Sequence, residues 1–276
     1  MSMRVTLLGT GDTTGTPTVG CDCATCVAAR ARGIERSRFS VHIENERTDE
    51  SILIDLSPDF RQQFLSQAVP LPDAAVVTHI HFDHLDGLGN AYRVFDELPV
   101  YAANEVDPKT GESVAETIRR KYEYLDRVSV FDVTPLASVE ICGLELTLVP
   151  VEHPPLLCFG LVVVDPETGA QLSLSGDTSY DIPADSREQL SDPDLFLADA
   201  IVSAALCDHH PLGGSHHDAD GVPRSFGTKH MTREGALALA DELEADVTRL
   251  VHTAHYYPAD EAFEEPLAVD GEQYRL

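Results

Sequence analysis

The stretch THIHFDHLDG, residues 78–87, places His79, His81, Asp83 and His84 on one short piece of chain. Imidazole and carboxylate at this density suit divalent cations. Strand alternation through the preceding AAVVTH sends His79 and His81 to one side, and a tight turn then brings Asp83 and His84 into the same space. Two metals can therefore share this loop, at a separation of about 3.5–4 Å, if further imidazoles and carboxylates complete the pair. The chain supplies them: His153 follows LELTLVPV, Asp177 follows QLSLSG and His252 ends TRLVH. Each sits at the C-terminal end of a strand-like run, where open α/β sheets place their chemistry.

A second group stands at GCDCATC, residues 20–26, with Cys21, Cys23 and Cys26. His255 follows His252 by three residues in LVHTAHY, so one of this pair can serve the histidine-rich site while the other turns toward a neighbouring loop. Three thiolates and one imidazole make a closed tetrahedral zinc site, with Zn–S about 2.3 Å and no open position for substrate. A redox pair or disulfide, and buried free thiols, are the competing readings; a reducing cytoplasm disfavours the first. Cys142, Cys158 and Cys207 lack metal spacing and read as packing residues.

The elements that must position these groups alternate along the chain. Strand-length apolar runs lie at 4–8, 51–56, 74–79, 99–103, 144–151, 158–164, 171–176, 194–200 and 248–252, with helical spacing at 24–32, 58–67, 112–126 and 232–244. Strands with interleaved helices predict a layered α/β domain, helices covering the sheet faces. No repeat or low-complexity linker interrupts 1–276, which reads as a single domain with a long irregular loop or insertion around 207–229. At 276 residues and 43% hydrophobic content, the chain can bury one large core or two modest ones. It contains no apolar run of about 18 residues, and the short apolar start turns at once into a Gly/Thr loop, so the expectation is a cytoplasmic protein without a membrane span.

Charge sets the partners. The chain has 19 basic residues against 47 acidic ones, a net −28, and its lysines are Lys109, Lys121 and Lys229. Such a surface resembles those of salt-loaded, halophilic cytoplasms, where screening is strong, and it disfavours nucleic acid, whose phosphates are bound by basic patches.

Taken in order, THIHFDHLDG, VEHPP, SLSGDTS and LVHTAH resemble the metallo-β-lactamase-fold hydrolase superfamily. GCDCATC with the second histidine is similar to its branch containing the carbon–phosphorus lyase pathway's cyclic phosphodiesterase, PhnP-like proteins in which the cysteine cluster holds a structural zinc. The resemblance implies a four-layer αββα sandwich with the active site at one edge. It implies His79, His81 and His153 on one metal, Asp83, His84 and His252 on the other, and Asp177 bridging. It also implies His230 as general acid, with Asp199 of LFLADA orienting it; these two and Asp83 are the expected catalytic residues. The expected cofactors are two divalent ions, zinc or manganese, plus one structural zinc on Cys21, Cys23, Cys26 and His255. Two such cations lower the pKa of a shared water toward about 7 and neutralise the oxygens of a phosphodiester. The expected reaction is hydrolysis of a small cyclic or diester sugar phosphate, such as a 5-phosphoribosyl 1,2-cyclic phosphate. A transfer-RNA 3′-processing endonuclease and a non-catalytic metal-binding protein of the PqqB type stand as alternatives. The expected partner is a small phosphorylated substrate, with a homodimer left open.

Softer signals remain. GTGDTTG, 9–15, is either a backbone-amide approach to ligand or a tight connection. Arg30, Arg32, Arg36 and Arg38 form a local basic patch that either receives a substrate phosphate or is a solvated face. His209, His210, His216 and His217 lie in the long loop, and His42 in a strand-like run reads as a packed or surface residue.

Overall fold

The computed structural model describes residues 3–276. Seven strands form the first sheet in the spatial order Gln273–Arg275, Met3–Gly9, Ser40–Asn45, Glu50–Ile54, Ala74–Val77, Leu98–Ala103, Val128–Val133. Pairing is antiparallel up to Glu50–Ile54 and parallel beyond it. The second sheet runs Val247–Val251, Leu195–Asp199, Gln171–Leu174, Leu156–Val164, Leu144–His153, Ser138–Ile141, with its first three strands parallel.

Alternation along the strands explains why the sheets stack. Leu195 and Leu197 face the first sheet and share one buried cluster with Val5, Leu7, Val41, Ile43 and Val76. Phe196 and Ala198 face the other way, into a cluster with Ala236, Leu239 and Ala240 of the helix Arg233–Glu242. That helix starts where Thr232 accepts a hydrogen bond from the Gly235 amide, an N-cap contributing about 1 kcal/mol. The helix Val114–Lys121, opened by a Ser113/Glu116 capping box, sends Val114, Ala115 and Ile118 into the cluster that contains the first sheet. The result is the expected αββα sandwich.

Two differences from the sequence reading have physical causes. Residues 207–229 are not irregular: Gly214–His217, Pro223–Phe226 and His230–Met231 form a small antiparallel sheet preceded by a 3₁₀ turn at Ala204–Asp208. Its strands are too short and too polar to show a hydrophobic period. The edge strands Val128–Val133 and Ser138–Ile141 escape notice because exposed edges need few apolar residues. Of the two readings left open for His42 the packed one holds: it is buried within Ser40–Asn45, and burial pushes its pKa down to about 4. No helix among the described residues is long and apolar enough to cross a membrane.

Candidate metal centre

Strand ends converge at one edge of the sandwich. Asp55 follows Glu50–Ile54, His79 follows Ala74–Val77, His153 ends Leu144–His153, Asp177 follows Gln171–Leu174, Asp199 ends Leu195–Asp199 and His252 follows Val247–Val251. A single helical turn, Phe82–Leu85, closed by Leu85 N–H on the His81 carbonyl, swings Asp83 and His84 back toward them. The turn is pressed against the first sheet: Gly87 donates to the Leu56 carbonyl, and a Cβ there would stand 2.0 Å from Ser57 O. Only glycine fits such an approach.

The side chains meet in two overlapping groups. One ligand atom each from His79, His81, His153 and Asp177 lie within 4.8 Å of one another, as do those of Asp83, His84 and His252. His81 Nδ1 is 3.0 Å from His79 Nε2 and 3.2 Å from His153 Nε2. Asp177 Oδ2 stands between the groups, 3.7 Å from His79 Nε2, 3.3 Å from His84 Nε2 and 3.2 Å from His252 Nε2. Asp83 Oδ2 is 3.7 Å from both His84 Nε2 and His252 Nε2. Ligand edges around a tetrahedral cation with N or O bonds of about 2.0 Å would be roughly 3.3 Å. His84 Nε2 and His252 Nε2 are buried without a hydrogen-bond partner, although such atoms are costly unless satisfied. Both aim at Asp83 and Asp177, so the donor set fits a pair of cations.

Outer contacts hold each ring in place. Asp55, absent from the sequence reading, adopts the left-handed region at φ 58, accepts from Thr78 N–H and Oγ1–H at 2.8 Å each, and lies 2.6 Å from His84 Nδ1. His79 Nδ1 lies 3.1 Å from Thr78 Oγ1, and His153 Nδ1 donates to the Lys229 carbonyl at 3.0 Å. Thr13 Oγ1 donates to Asp83. The 9–15 loop is otherwise a tight connection, its Thr14 and Gly15 amides donating to Asp12 Oδ1.

The field inside the cluster separates its histidines. Burial holds His79 well below the ordinary value and pushes His153 down to about 3, leaving neutral rings with free lone pairs. At His84 burial works the same way, but Asp177 and Asp55 outweigh it and raise that ring well above the usual range. At His252 Asp177, Asp83 and Asp199 likewise overcome burial, to about 9.

His230 closes the open side. Its Nδ1 is 2.9 Å from Asp199 Oδ2, its ring stacks on His252 at 5.1 Å and 12°, and one of its nitrogens groups with Asp177 and His252 within 4.8 Å. Asp199 is fixed in turn by Thr178 N–H at 3.0 Å, while the Ser175 hydroxyl accepts the Asp199 amide at 2.8 Å. A cavity of about 290 Å³ opens beside the loops that carry His81 and His153, with Ile80, Leu156 and Leu157 on its wall.

The cysteines assemble around His255. Cys23 caps the helix Ala24–Arg32, its sulfur accepting from the Cys26 amide, and Thr18 N–H donates to Cys26 Sγ. His255 Nδ1 is 3.4, 3.4 and 3.6 Å from the sulfurs of Cys21, Cys23 and Cys26. Tetrahedral zinc requires S···N edges of roughly 3.5 Å, so this set fits that ion. The nearby arginines do not form a receptive patch. Arg36 is fully buried and donates to the Ala262 and Ala268 carbonyls, Arg38 pairs with Asp59, Arg30 with Asp22 and Arg32 with Glu264.

Known proteins share this fold. The structure of a diphosphatase from the PhnP family is 26% identical, with a TM-score of 0.77 over 99% of this chain and 97% of that one. Zn²⁺-bound PqqB from Methylobacterium extorquens shares the fold at 19% identity and a TM-score of 0.77, over 99% of this chain and 100% of that one. An octanoyltransferase of Porphyromonas gingivalis is 40% identical over 139 residues, 50% of this chain, which spans only 26% of that protein's length. Residues 50–253 match the family described as the beta-lactamase superfamily domain, and the chain belongs to that family.

Proposed function

We propose that the protein is a dinuclear metal-dependent hydrolase of phosphoric diesters, acting on a small cyclic or diester sugar phosphate. His79, His81 and His153 would hold one divalent cation, zinc or manganese, Asp83, His84 and His252 the other, with Asp177 shared. When bound, such ions supply Lewis acidity and activate water at neutral pH. Cys21, Cys23, Cys26 and His255 would hold a separate structural zinc.

The observation that carries this reading is the His230–Asp199 pair facing an intact ligand set. Water attack at phosphorus breaks the bond to the leaving oxygen, which needs a proton as it departs. With Nδ1 committed to Asp199, His230 presents its other ring nitrogen as the donor. Asp199 fixes the tautomer and the ring plane, and the stack on His252 fixes its depth. The PhnP-family neighbour is a diphosphatase, and its chemistry is also a displacement at phosphorus. The match to an octanoyltransferase covers too little of that protein to bring its activity here. A transfer-RNA substrate is disfavoured by the net charge of −28 and by arginines committed to carboxylates. A purely binding role leaves the complete ligand set and the His230 donor unused.

The test is hydrolysis of bis(p-nitrophenyl) phosphate by protein reloaded with Zn²⁺ or Mn²⁺, in dilute buffer and in molar KCl. Turnover abolished by chelation and by His81→Ala supports the reading. Folded, metal-loaded protein that releases no nitrophenol overturns it.

A further inference from the structure

Strands Ala74–Val77 and Leu98–Ala103 are parallel neighbours, so the segment after Ala103 leaves the sheet at the same edge as THIHFDH. That segment folds back on itself. Val106 bridges Ser113, the Asp107 amide donates to the Glu112 carbonyl at 3.1 Å, and the Gly111 amide donates to the Asp107 carbonyl at 2.8 Å. Between it and the start of Leu156–Val164 lies the cavity of about 290 Å³. Ile80 on its wall stands between His79 and His81 in the chain, and Leu156 is the register partner of His153. The cavity thus adjoins the metal centre and is placed to receive the part of a substrate that does not react.

Its walls restrict what that part can be. Ile80, Leu156 and Leu157 make one side apolar. Arg120 is no anion receptor: both Glu112 oxygens hold it, at 2.8 and 2.9 Å, and Glu112 also accepts from Thr117 Oγ1 at 3.2 Å. Asp107 is the remaining charge on the wall. It is 8% exposed, its Oδ1 accepts the Lys109 amide at 2.7 Å, and its Oδ2 has no hydrogen-bond or ion-pair partner among the described residues. A carboxylate oxygen so nearly buried is costly without a donor, and here the donor must arrive with the ligand.

We infer that the cavity binds an unphosphorylated sugar ring, with the ring's apolar face on Ile80, Leu156 and Leu157 and one hydroxyl donating to Asp107. The inference rests on the proposed phosphodiesterase reading and narrows it: the substrate carries its negative charge at the reacting diester and free hydroxyls on the attached sugar. A sugar offers both a face of C–H groups and O–H donors. The cavity is at the small end of ligand sites, which span about 300–1,000 Å³, and has room for one ring. A phosphate in the same place would meet the net negative charge of Asp107, Glu112 and Arg120, with the one cation already committed.

Calorimetry on the metal-loaded protein with three ligands tests this: glucose 6-phosphate, cyclohexylmethyl phosphate, which keeps the ring without hydroxyls, and glucose 1,6-bisphosphate. A hydrogen bond to a charged group is worth about 10–100-fold, so glucose 6-phosphate should bind tighter than cyclohexylmethyl phosphate by that factor. The bisphosphate should bind more weakly than glucose 6-phosphate. Asp107→Asn keeps an acceptor for the Lys109 amide but turns an N–H₂ toward the cavity; it should cut the sugar's advantage about tenfold and relieve the penalty on the bisphosphate. Equal binding of glucose 6-phosphate and cyclohexylmethyl phosphate, a bisphosphate that binds tighter, or ratios unchanged in Asp107→Asn overturns the assignment. The corresponding p-nitrophenyl diesters should follow the same order in KM. The same order of binding in a protein that hydrolyses none of these diesters would support the sugar cavity and refute the phosphodiesterase reading alone.

Discussion

The metal-free centre should hold protons where the loaded centre holds cations, and the consequence can be read from stability. In the absence of metal His252 titrates at about 9, because Asp177, Asp83 and Asp199 outweigh its burial, and His84 is raised well above its ordinary value by Asp177 and Asp55. A histidine whose folded pKa exceeds its unfolded value of about 6.5 stabilises fully below about pH 6.5, and that contribution is lost as pH rises through the folded pKa. For His252 the full contribution is of order 3 kcal/mol, shed at about 1.4 kcal/mol per pH unit between about pH 6.5 and 9. Metal-free protein should therefore melt about 3–6 °C lower at about pH 8.5 than at about pH 7.5 from this ring alone, with His84 adding to the decline. Cation binding must expel the same protons, so apparent affinity should rise about tenfold per pH unit for each proton displaced. Melting curves in chelator at three pH values, and proton release into weak buffer with an indicator dye, measure both halves. His252→Gln should remove one proton and flatten the slope. A melting temperature independent of pH across this window, with no proton released on metal addition, would refute the charge arrangement.

Two further outcomes concern the support of the site. Asp55→Asn keeps the size of the side chain but offers an amide N–H₂ where Thr78 or His84 requires an acceptor; metal affinity should fall about 10–100-fold with the fold intact, measured by chelator competition. Cys23→Ser should remove one zinc equivalent by elemental analysis and lower solubility. In chelator, Cys23, held at about 6 because contacts from Cys26 and His255 outweigh its burial, should alkylate ahead of Cys26, which burial raises to about 11; equal rates would contradict the site's electrostatics.

The candidate ligands were legible because their chemistry is local. HIHFDH compresses four donors into six residues, and His153, Asp177 and His252 each follow an apolar run whose end the fold carries to the same edge. The cysteines were legible for the same reason, through spacing and the His252–His255 interval. Asp55 was not, although an acid inside SILIDLS interrupts a strand of buried residues and could have been questioned on that ground. Its role depends on a left-handed backbone and on Thr78, a pairing between strands that no single segment encodes. Thr13 was missed likewise, its loop being tied to Asp83 only by tertiary contact. The solvated-face reading of the arginines suits Arg30, Arg32 and Arg38, which pair with carboxylates, but Arg36 is swallowed by the chain segment 262–268, a contact far away in sequence.

The central claim is that His230, oriented by Asp199, gives a proton to the oxygen leaving phosphorus, and the most direct measurement varies that oxygen. Turnover of an activated p-nitrophenyl diester and of an alkyl diester is compared in the unaltered protein and in His230→Ala. The account predicts a loss of about 10²–10⁴-fold on the alkyl ester and a far smaller loss on the aryl ester, whose leaving group departs without a proton. Equal losses on both would contradict it.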